Sequence, residues 1–431
     1  MSTINLADRA VDLGEWAAAT PDAAERFAAQ VRTWLAENLV GDFAKLRGRG
    51  GPGSEHEFFA ERLEWDRHLA RAGWTCLGWP SRYGGRGATL AQRIAFHEEY
   101  ARANAPARVN HLGEELLGPT LIKYGTAEQK ARFLPGIVDV TELWAQGYSE
   151  PGAGSDLAGV ATTARPDASG RWILNGQKIW TSLAHVAHWL FVVCRTEKGS
   201  ARHRGLSFLL VPIDQPGITV RPIQQLTGTS EFNEVFFDDA VTDADLIVGA
   251  PGDGWRIAMA LLQFERGVST LGQQVGFARE LDAVTTLARD NGALANPEIA
   301  ARLTRARIGL HVMRAHAQRT LDGAGPDAAG AASVAKLLWA NWHRDLGELA
   351  MAVAGAPSLI PGYLPALRAP RAGITCDDAP TDLTDPEHTA LDDWQRLFLF
   401  TRADTIYGGS NEVQRNIIAE RVLGLPREAR V

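Results

Sequence analysis

The sequence predicts an α+β protein with an N-terminal helical domain, a middle antiparallel β-barrel or β-sheet domain, and a C-terminal helical bundle. Apolar residues recur at helical spacing in residues 1–142, short β-rich segments follow in 143–248, and the helical period returns in 249–431. The length of 431 residues fits several domains or one large multi-lobed subunit.

The first part is predicted to be helical from the spacing of its large apolar residues. Phe58, Trp65, Leu69 and Ala72 are placed on one face of a helix by this spacing. Such a face packs against a neighbouring element, so we expect a helical scaffold here.

Two capping boxes indicate where helices begin in this part. Ser54 precedes Glu57 by three residues, and Thr126 precedes Gln129 in the same way. In this arrangement a hydroxyl and a side-chain carbonyl satisfy free backbone donors reciprocally. Pro135 is expected to end the second helix.

The middle part is predicted to be a small antiparallel sheet or barrel. Asn175-Gly176 stands between the apolar segments 172–174 and 177–180, and this dipeptide favours a two-residue turn, so we predict a β-hairpin. Further β-rich runs separated by turn residues cover 188–194, 206–211, 218–223 and 233–237.

The last part is predicted to form a four-helix or five-helix bundle. Its helical runs cover 254–289, 297–322, 331–354, 390–406 and 410–423. Residues 356–388 are rich in Pro, Gly and Asp, which predicts a surface excursion between two helices.

Composition excludes several classes of protein. The net charge of −7 argues against a surface that neutralises nucleic-acid phosphates. Three cysteines without C-x-x-C spacing, Cys76, Cys194 and Cys376, disfavour a disulfide framework and a structural metal site. The N-terminus is charged where a signal peptide is apolar, and no apolar run reaches the roughly 18 residues of a membrane helix. We therefore expect a cytoplasmic protein without a membrane or nucleic-acid partner.

A loop at the start of the β part is a candidate ligand site. Residues 146–156 read Gln-Gly-Tyr-Ser-Glu-Pro-Gly-Ala-Gly-Ser-Asp, with three glycines and several hydroxyl groups. Glycines let backbone amides approach a ligand closely, and hydroxyls donate to ring nitrogens or carbonyls. On composition alone, a plain turn and a polar-ligand loop are both open.

This loop and two later segments together carry a family resemblance. The segments are Asn175-Gly-Gln-Lys-Ile-Trp-Thr-Ser182 and Ile406-Tyr-Gly-Gly-Ser-Asn-Glu-Val-Gln-Arg415. In this order across an α–β–α chain they resemble the acyl-CoA dehydrogenase family, over roughly residues 54–426. The resemblance implies bound FAD and dehydrogenation of an acyl-CoA to its trans-2,3-enoyl-CoA, with flavin N5 as hydride acceptor. It also implies an electron-transfer flavoprotein as the electron acceptor.

The resemblance implies which residues bind the flavin. Trp180 would cover its ring, with a core aromatic as the plainer alternative, and Ser182 would lie near N5. Ser410 and Glu412 match a segment that touches the FAD of the same or a neighbouring subunit. The remaining FAD residues implied are Tyr148, Ser149, Gly154, Ser155 and Thr181.

The catalytic base implied by the resemblance is displaced in the sequence. Most family members have Glu where this chain has Gly408, and a minority place the base before an Arg early in the C-terminal bundle. Glu265 before Arg266 fits that minority, and the alternatives are a solvated charge pair and a non-catalytic subunit. The Gly408 N–H would receive the thioester oxygen, and the substrate would also contact Ser155, Arg266 and Tyr407.

Two departures from the family concern the subunit partner. Many family members have an Arg-x-x-Phe-Gly run that reaches the FAD of the adjacent subunit, and the corresponding region here keeps only Arg289. A Gln-x-x-Gly-Gly segment that usually assists this contact is reduced here to residues 352–356. We expect a homo-oligomer, dimer or tetramer, or a heteromer with a related chain. The rival functions are a flavin oxidase or monooxygenase and a non-catalytic subunit of a heteromeric dehydrogenase.

Overall fold

The computed structural model describes residues 21–264, 269–321, 328–359 and 391–427. It confirms the α+β class and the order of helical, β and helical parts. The N-terminal helices are α1 (Pro21–Asn38), α2 (Phe59–Arg71), α3 (Leu90–Arg102), α4 (Gly118–Tyr124) and α5 (Ala127–Val138). A π-helical turn, Leu112–Leu117, leads directly into α4.

The predicted apolar face of α2 is only partly right. Trp65 and Leu69 are fully buried in a core that α1 and α3 share. Ala72 caps the C-terminal end of the helix. Phe58 lies outside it, with a φ of +48° and 44% of its surface exposed. Helical spacing failed here because the helix begins one residue after Phe58.

The capping box at Thr126 is confirmed. The Thr126 hydroxyl accepts the Gln129 N–H at 3.2 Å, and the Gln129 side chain accepts the Thr126 N–H at 3.1 Å. The box at Ser54 is wrong, because α2 begins at Phe59 and the Ser54 carbonyl instead closes a turn with the Glu57 N–H at 3.0 Å. Residues Ser54 to Glu57 therefore form a turn that precedes the helix.

The predicted stop at Pro135 is also wrong. Pro135 lies inside α5, which continues to Val138. Proline removes one donor, but its fixed φ is compatible with a helix. Phe133, Leu134 and Ile137 are buried on both sides of it, so packing holds the last turn.

The middle part is one mixed sheet of eight strands in the described residues. Its strands are β1 (Trp144–Gly147), β2 (Thr163–Pro166), β3 (Trp172–Ser182), β4 (Trp189–Arg195), β5 (Leu206–Pro212), β6 (Ile218–Ile223), β7 (Phe232–Thr242) and β8 (Ile247–Val248). The order is β6-β7-β3-β2-β4-β5-β8, with β1 beside β4. Most pairs are antiparallel as expected, whereas β1 and β2 each pair with β4 in parallel.

The hairpin predicted at Asn175-Gly176 is wrong, because both residues lie inside the single strand β3. The pairing of β3 with β7 shifts register here, which marks a β-bulge. The Asn175 amide donates to Asp239 Oδ1 at 2.8 Å, and its oxygen accepts the Asp239 N–H at 3.0 Å. Gly176 has a φ of +147°, and a Cβ there would lie 2.6 Å from the Thr162 hydroxyl. The dipeptide therefore bends a long strand instead of reversing the chain.

The C-terminal helices follow the sheet. They are α6 (Gly254–Phe264), α7 (Ser269–Asp290), α8 (Pro297–Leu321), α9 (Ala328–Ala354), α10 (Asp393–Asp404) and α11 (Asn411–Ile417). The Pro-rich excursion begins with a short turn, Ala356–Leu359, and its continuation lies outside the described residues. In the part of the chain that the structure describes, no helix is both long and apolar enough to cross a membrane.

Candidate functional site

The loop after β1 is attached to the second half of β3. The Ile179 N–H donates to the Ser149 carbonyl at 2.9 Å. Next to it, the Lys178 ammonium donates to the Tyr148 carbonyl at 3.0 Å. The structure thus brings Tyr148 and Ser149 together with the strand that carries Trp180, Thr181 and Ser182.

A buried ion pair makes this attachment rigid. Lys178 is fully buried and lies 2.7 Å from Glu150 Oε1 and 2.7 Å from the Val193 carbonyl. Glu150 also accepts the N–H groups of Ala161 and Thr162 at 2.6 and 2.9 Å. Burial acts to raise the pKa of Glu150, but the Lys178 ammonium outweighs it and the pKa is lowered. The carboxylate is therefore charged and fully hydrogen-bonded.

The end of β3 has an unusual backbone at the residues implied to touch the flavin. A second register shift with β7 lies between Lys178 and Thr181. Trp180 has a φ of +59° there, and 55% of its surface is exposed. Thr181 is fully buried, and within the described residues its hydroxyl has no hydrogen-bond partner. The bulge therefore presents an open aromatic face beside a buried, unused hydroxyl.

The glycine-rich part of the loop lies on the surface. Gly154 and Ser155 are exposed, and a Cβ at Gly154 would meet no atom within 4 Å. The loop turns sharply at Glu150 and Ala153, whose N–H and carbonyl groups pair with each other at 3.0 and 3.1 Å. The surface of the loop at Gly152 and Gly154 thus leaves room for a ligand to approach the backbone.

Glu231 connects the end of β3 with the N-terminal loop. Its backbone carbonyl accepts the Leu183 N–H at 2.9 Å, and its carboxylate accepts the N–H groups of Gly53 and Glu55 at 3.1 and 2.8 Å. Arg396 of α10 donates to the Gly53 carbonyl at 3.0 Å. One chain of hydrogen bonds therefore joins the sheet, the loop around residue 53 and the helical bundle.

The terminal motif forms a turn between α10 and α11. Gly408 and Gly409 have φ values of +62° and +87°, and the Gln414 amide donates to both of their carbonyls at 3.2 Å. Among the described residues, none accepts a hydrogen bond from the Gly408 N–H. The Tyr407 hydroxyl donates to Asp404 Oδ1 at 2.7 Å. The turn is held firmly and leaves one exposed backbone donor.

A cavity of about 200 Å³ lies beside this turn. Apolar and polar side chains share its wall, among them Phe277, Leu397 and Phe400 on the apolar side and Glu280, His343 and Tyr407 on the polar side. Pro52 and Arg396 line it as well, so it borders the loop that Glu231 holds.

The remaining predicted site residues that the structure describes are Arg289, Ser410 and Glu412. Arg289 is exposed in the last turn of α7, nine residues or about 13 Å along the axis from the cavity-lining Glu280. Ser410 caps α11 through the Val413 N–H, and Glu412 pairs with Arg415 at 3.4 Å on the same helix. Glu265 and Arg266 lie outside the described residues.

Sequence reasoning missed the groups that hold these segments in place. Glu150 and Lys178 both lie within the quoted motifs, but nothing local indicates that they pair across 28 residues. Glu231 and His343 stand in segments without a motif signal. No local pattern in the sequence singles out these positions.

Comparison with known proteins decides the family. The N-terminal, middle and C-terminal domain models of acyl-CoA dehydrogenases match residues 21–141, 145–240 and 252–423. The chain belongs to the acyl-CoA dehydrogenase family. It is 64% identical to acyl-CoA dehydrogenase IpdE1 of Mycobacterium tuberculosis, over 94% of this chain and 99% of that protein.

Two solved structures extend this comparison. The Tcur3481-Tcur3483 steroid ACAD has a TM-score of 0.77 at 28% identity, covering 95% of this chain and 99% of that chain. The ChsE4-ChsE5 complex from Mycobacterium tuberculosis has a TM-score of 0.74 at 28% identity, covering 96% and 100%. Family and relatives together support an FAD-dependent oxidoreductase.

The residues of this chain fit a flavin. The buried Thr181 hydroxyl lacks a partner among the residues that the structure describes, and it can hydrogen-bond to a ring nitrogen or carbonyl. The exposed Trp180 beside it offers a flat apolar surface for an aromatic ring. The open glycine side of the 152–154 loop gives backbone access to a phosphate or ribityl group.

Proposed function

We propose that this chain removes two hydrogens from the α and β carbons of an acyl-CoA to give the trans-2,3-enoyl-CoA. The observation that carries the proposal is the buried Thr181 hydroxyl at the Trp180 bulge, which has no partner in the described part of a chain whose three parts match the family in order. Bound FAD would accept the β-hydrogen with its electron pair and pass the electrons to an electron-transfer flavoprotein.

The flavin would be held by the second half of β3 and the loop after β1. Trp180 would cover the ring, while Thr181 and Ser182 would donate to its heteroatoms. Tyr148 and Ser149 would line the same side, because the hydrogen bond from Ile179 to Ser149 fixes their distance from the strand. Gly154 and Ser155 would contact the FAD or the CoA arm.

Glu265 would take the α-proton onto its carboxylate. A base is needed because the α-proton of a thioester is only weakly acidic, and general bases typically contribute about 10²–10⁴ in rate. The glycine at 408 leaves the terminal motif without a carboxylate at that position. Arg266 and Tyr407 would border the bound substrate.

The Gly408 N–H would hold the thioester oxygen as negative charge develops on it. This donor has no acceptor among the described residues, and its turn is fixed by Gln414 and by the Tyr407 hydroxyl. One pre-organised donor of this kind is worth about 10²–10³ in rate. The role needs no side chain, so it is compatible with glycine.

We propose a steroid-derived or other ring-bearing acyl group as the substrate and a related chain as a partner. Both solved relatives described above are complexes of two named proteins, and one is a steroid ACAD. The exposed position of Arg289 agrees with a flavin contact across a subunit boundary.

Anaerobic titration of the flavin-loaded protein with straight, branched and steroid-like CoA esters tests the function. We expect loss of visible flavin absorbance with the ring-bearing esters. Glu265→Gln should slow this bleaching by about 10²–10⁴ and leave FAD content unchanged. Glu298→Gln, at an exposed position in the first turn of α8, is the matched control.

Four outcomes would each contradict a different part of the proposal. Bleaching of Glu265→Gln at the wild-type rate would move the base elsewhere. No bleaching of wild-type protein by any ester would favour a non-catalytic subunit, and oxygen consumption faster than dye reduction would favour an oxidase. Stoichiometric FAD in a homo-oligomer, measured by size-exclusion mass and flavin content, would remove the need for a second chain.

A further inference from the structure

A buried histidine lies between two carboxylates in the helical bundle. His343 Nε2 is 2.8 Å from Glu280 Oε2, and Nδ1 is 2.7 Å from Asp404 Oδ2. The three residues come from α9, α7 and α10, and all three border the cavity beside the terminal turn. None of them belongs to a motif that the sequence singled out.

This geometry requires a proton on each ring nitrogen. A carboxylate only accepts hydrogen bonds, so both nitrogens donate at once only in the imidazolium form. Burial acts to lower the pKa of His343, but Glu280 and Asp404 outweigh it and raise the pKa to about 9. His343 is therefore charged at neutral pH.

Asp404 connects His343 to the terminal turn. Its second carboxylate oxygen accepts the Tyr407 hydroxyl at 2.7 Å, and its backbone carbonyl accepts the Lys336 ammonium. The Lys336 ammonium also lies 4.7 Å from the centroid of the Tyr407 ring. Gln414 holds the two glycine carbonyls from the other side of the turn. A continuous path of contacts thus leads from His343 to the residue before Gly408.

The other groups around His343 do not take over the hydrogen bonds that its ring makes to Glu280 and Asp404. Phe277 covers its ring with centroids 4.4 Å apart, and Trp342 stacks at 6.4 Å. Besides Asp404, the charged groups that face the cavity from α10 are Asp393 and Arg396, and Arg396 is hydrogen-bonded to the carbonyls of Gly53 and Leu391.

We propose that His343 is a positioning residue, whose imidazolium fixes Asp404 and Tyr407 and so orients the Gly408 N–H toward the substrate. The proposal rests on the proposed function, because the Gly408 donor matters for catalysis only if a thioester binds there. We place His343 in contact with neither substrate nor flavin.

The proposal predicts a pH dependence with a definite sign. The pKa of His343 is raised above the ordinary value of 6.5, so its contribution is complete below that value and is lost as pH rises through about 9. A neutral ring donates from one nitrogen and turns a lone pair toward the other carboxylate. The turn should loosen on the alkaline side.

Carbon-13 NMR tests the proposal without any turnover. In protein labelled with [¹³C]histidine, the His343 resonance, assigned from the spectrum of His343→Gln, should titrate near 9. With [2-¹³C]glycine, the Gly408 resonance, assigned from Gly408→Ala, should follow the same midpoint. Tyr407→Phe should leave the His343 titration in place and abolish the Gly408 response.

Kinetics of the flavin-loaded protein supply the second test. Wild-type kcat should fall on the alkaline side with the His343 midpoint, and Glu280→Gln should move both midpoints to lower pH. His343→Gln should lower kcat about tenfold with little change in KM, less than the roughly 10²–10³ of losing a whole donor. His316→Gln, whose ring contacts the Ala331 carbonyl in the same bundle, is the matched control and should change neither.

The outcomes separate the two proposals. The positioning role is overturned if the His343 resonance titrates below 7, or if the Gly408 resonance does not change as His343 titrates. Either result holds independently of whether the enzyme oxidises a CoA ester. If the two resonances titrate together but no CoA ester is oxidised, the proposed function fails and the mechanical link stands. If His343→Gln does not fold, Glu280→Gln and Tyr407→Phe still decide the matter.

Discussion

Lys178 Nζ lies 2.7 Å from Glu150 Oε1, and both side chains are buried. Lys178 belongs to β3, two residues before Trp180, and Glu150 belongs to the loop after β1. The pair therefore fixes the position of one predicted flavin-binding segment relative to the other. Its role is geometric, because neither side chain needs to touch the flavin.

Breaking this pair from one side should destabilise the protein and release the flavin. Lys178→Met leaves a buried carboxylate without its cation, which typically costs about 3–5 kcal/mol. We expect a lower free energy of unfolding in urea and less FAD retained after gel filtration. The double variant Lys178→Met/Glu150→Gln should recover part of the stability and part of the FAD retention, because it leaves no unpaired buried charge.

Arg171→Gln is the control, because Arg171 pairs with Asp167 at 3.0 Å with half of its side chain exposed. We expect a much smaller loss of stability there, because solvent screens an exposed ion pair. Equal losses at the buried and the exposed pair would contradict the role of Lys178.

Removing the Thr181 hydroxyl should weaken flavin binding and spare the fold. Thr181→Val deletes a buried group that has no partner among the described residues, so the free energy of unfolding of the apoprotein should stay the same or rise. The loss of one hydrogen bond of about 0.5–1.5 kcal/mol should raise the Kd for FAD about three- to tenfold. Quenching of FAD fluorescence during reconstitution measures it.

Thr242→Val on β7 is the matched control. Its hydroxyl donates to the Leu210 carbonyl inside the sheet, so this variant should lose stability and keep its affinity for FAD. The proposed flavin contact would be refuted by unchanged FAD binding in Thr181→Val.

A side chain at the β3 bulge should be poorly tolerated. In Gly176→Ala the new Cβ would lie 2.6 Å from Thr162 Oγ1 and 2.7 Å from Thr162 Cα, at a φ of +147°. Overpacking and backbone strain together predict a loss of about 2–4 kcal/mol in thermal or chemical unfolding.

Gly170→Ala separates the two contributions. Gly170 also has a positive φ, +87°, but a Cβ there meets no atom within 4 Å. It should lose only about 1 kcal/mol, the cost of strain alone. If Gly176→Ala were no worse than Gly170→Ala, close approach to Thr162 would not explain the glycine.

Glu231 should make stability depend on pH in the mildly acidic range. Burial raises the pKa of this carboxyl above its ordinary 4.5, although it accepts the N–H groups of Gly53 and Glu55. Its stabilising contribution is complete below 4.5 and is lost as pH rises through the folded pKa. Glu231→Gln removes this dependence.

The unfolding free energy of wild type minus that of Glu231→Gln should therefore fall as pH rises above 4.5. Urea unfolding at several pH values measures it, and the exposed Glu298→Gln should give a flat difference. Parallel curves for Glu231→Gln and wild type would exclude the raised pKa.

Local signals in the sequence were enough to predict the fold class and many elements. The capping box at Thr126 and the strand over 218–223 are in the structure as expected, because caps and periodicity depend on residues only a few positions apart. The same signals failed at Asn175-Gly176 and at Pro135. There a neighbouring strand or a buried face outweighed the local preference.

The sequence alone determined that this chain is an α–β–α flavoprotein of a known family, because its motifs are contiguous and keep their order. Only the tertiary structure decided which groups hold those motifs in place. Lys178 and Glu150 are 28 residues apart, and His343 and Asp404 are 61 apart. Their charges are stable in the interior only as partners, and pairing over such distances follows from the packing of whole elements.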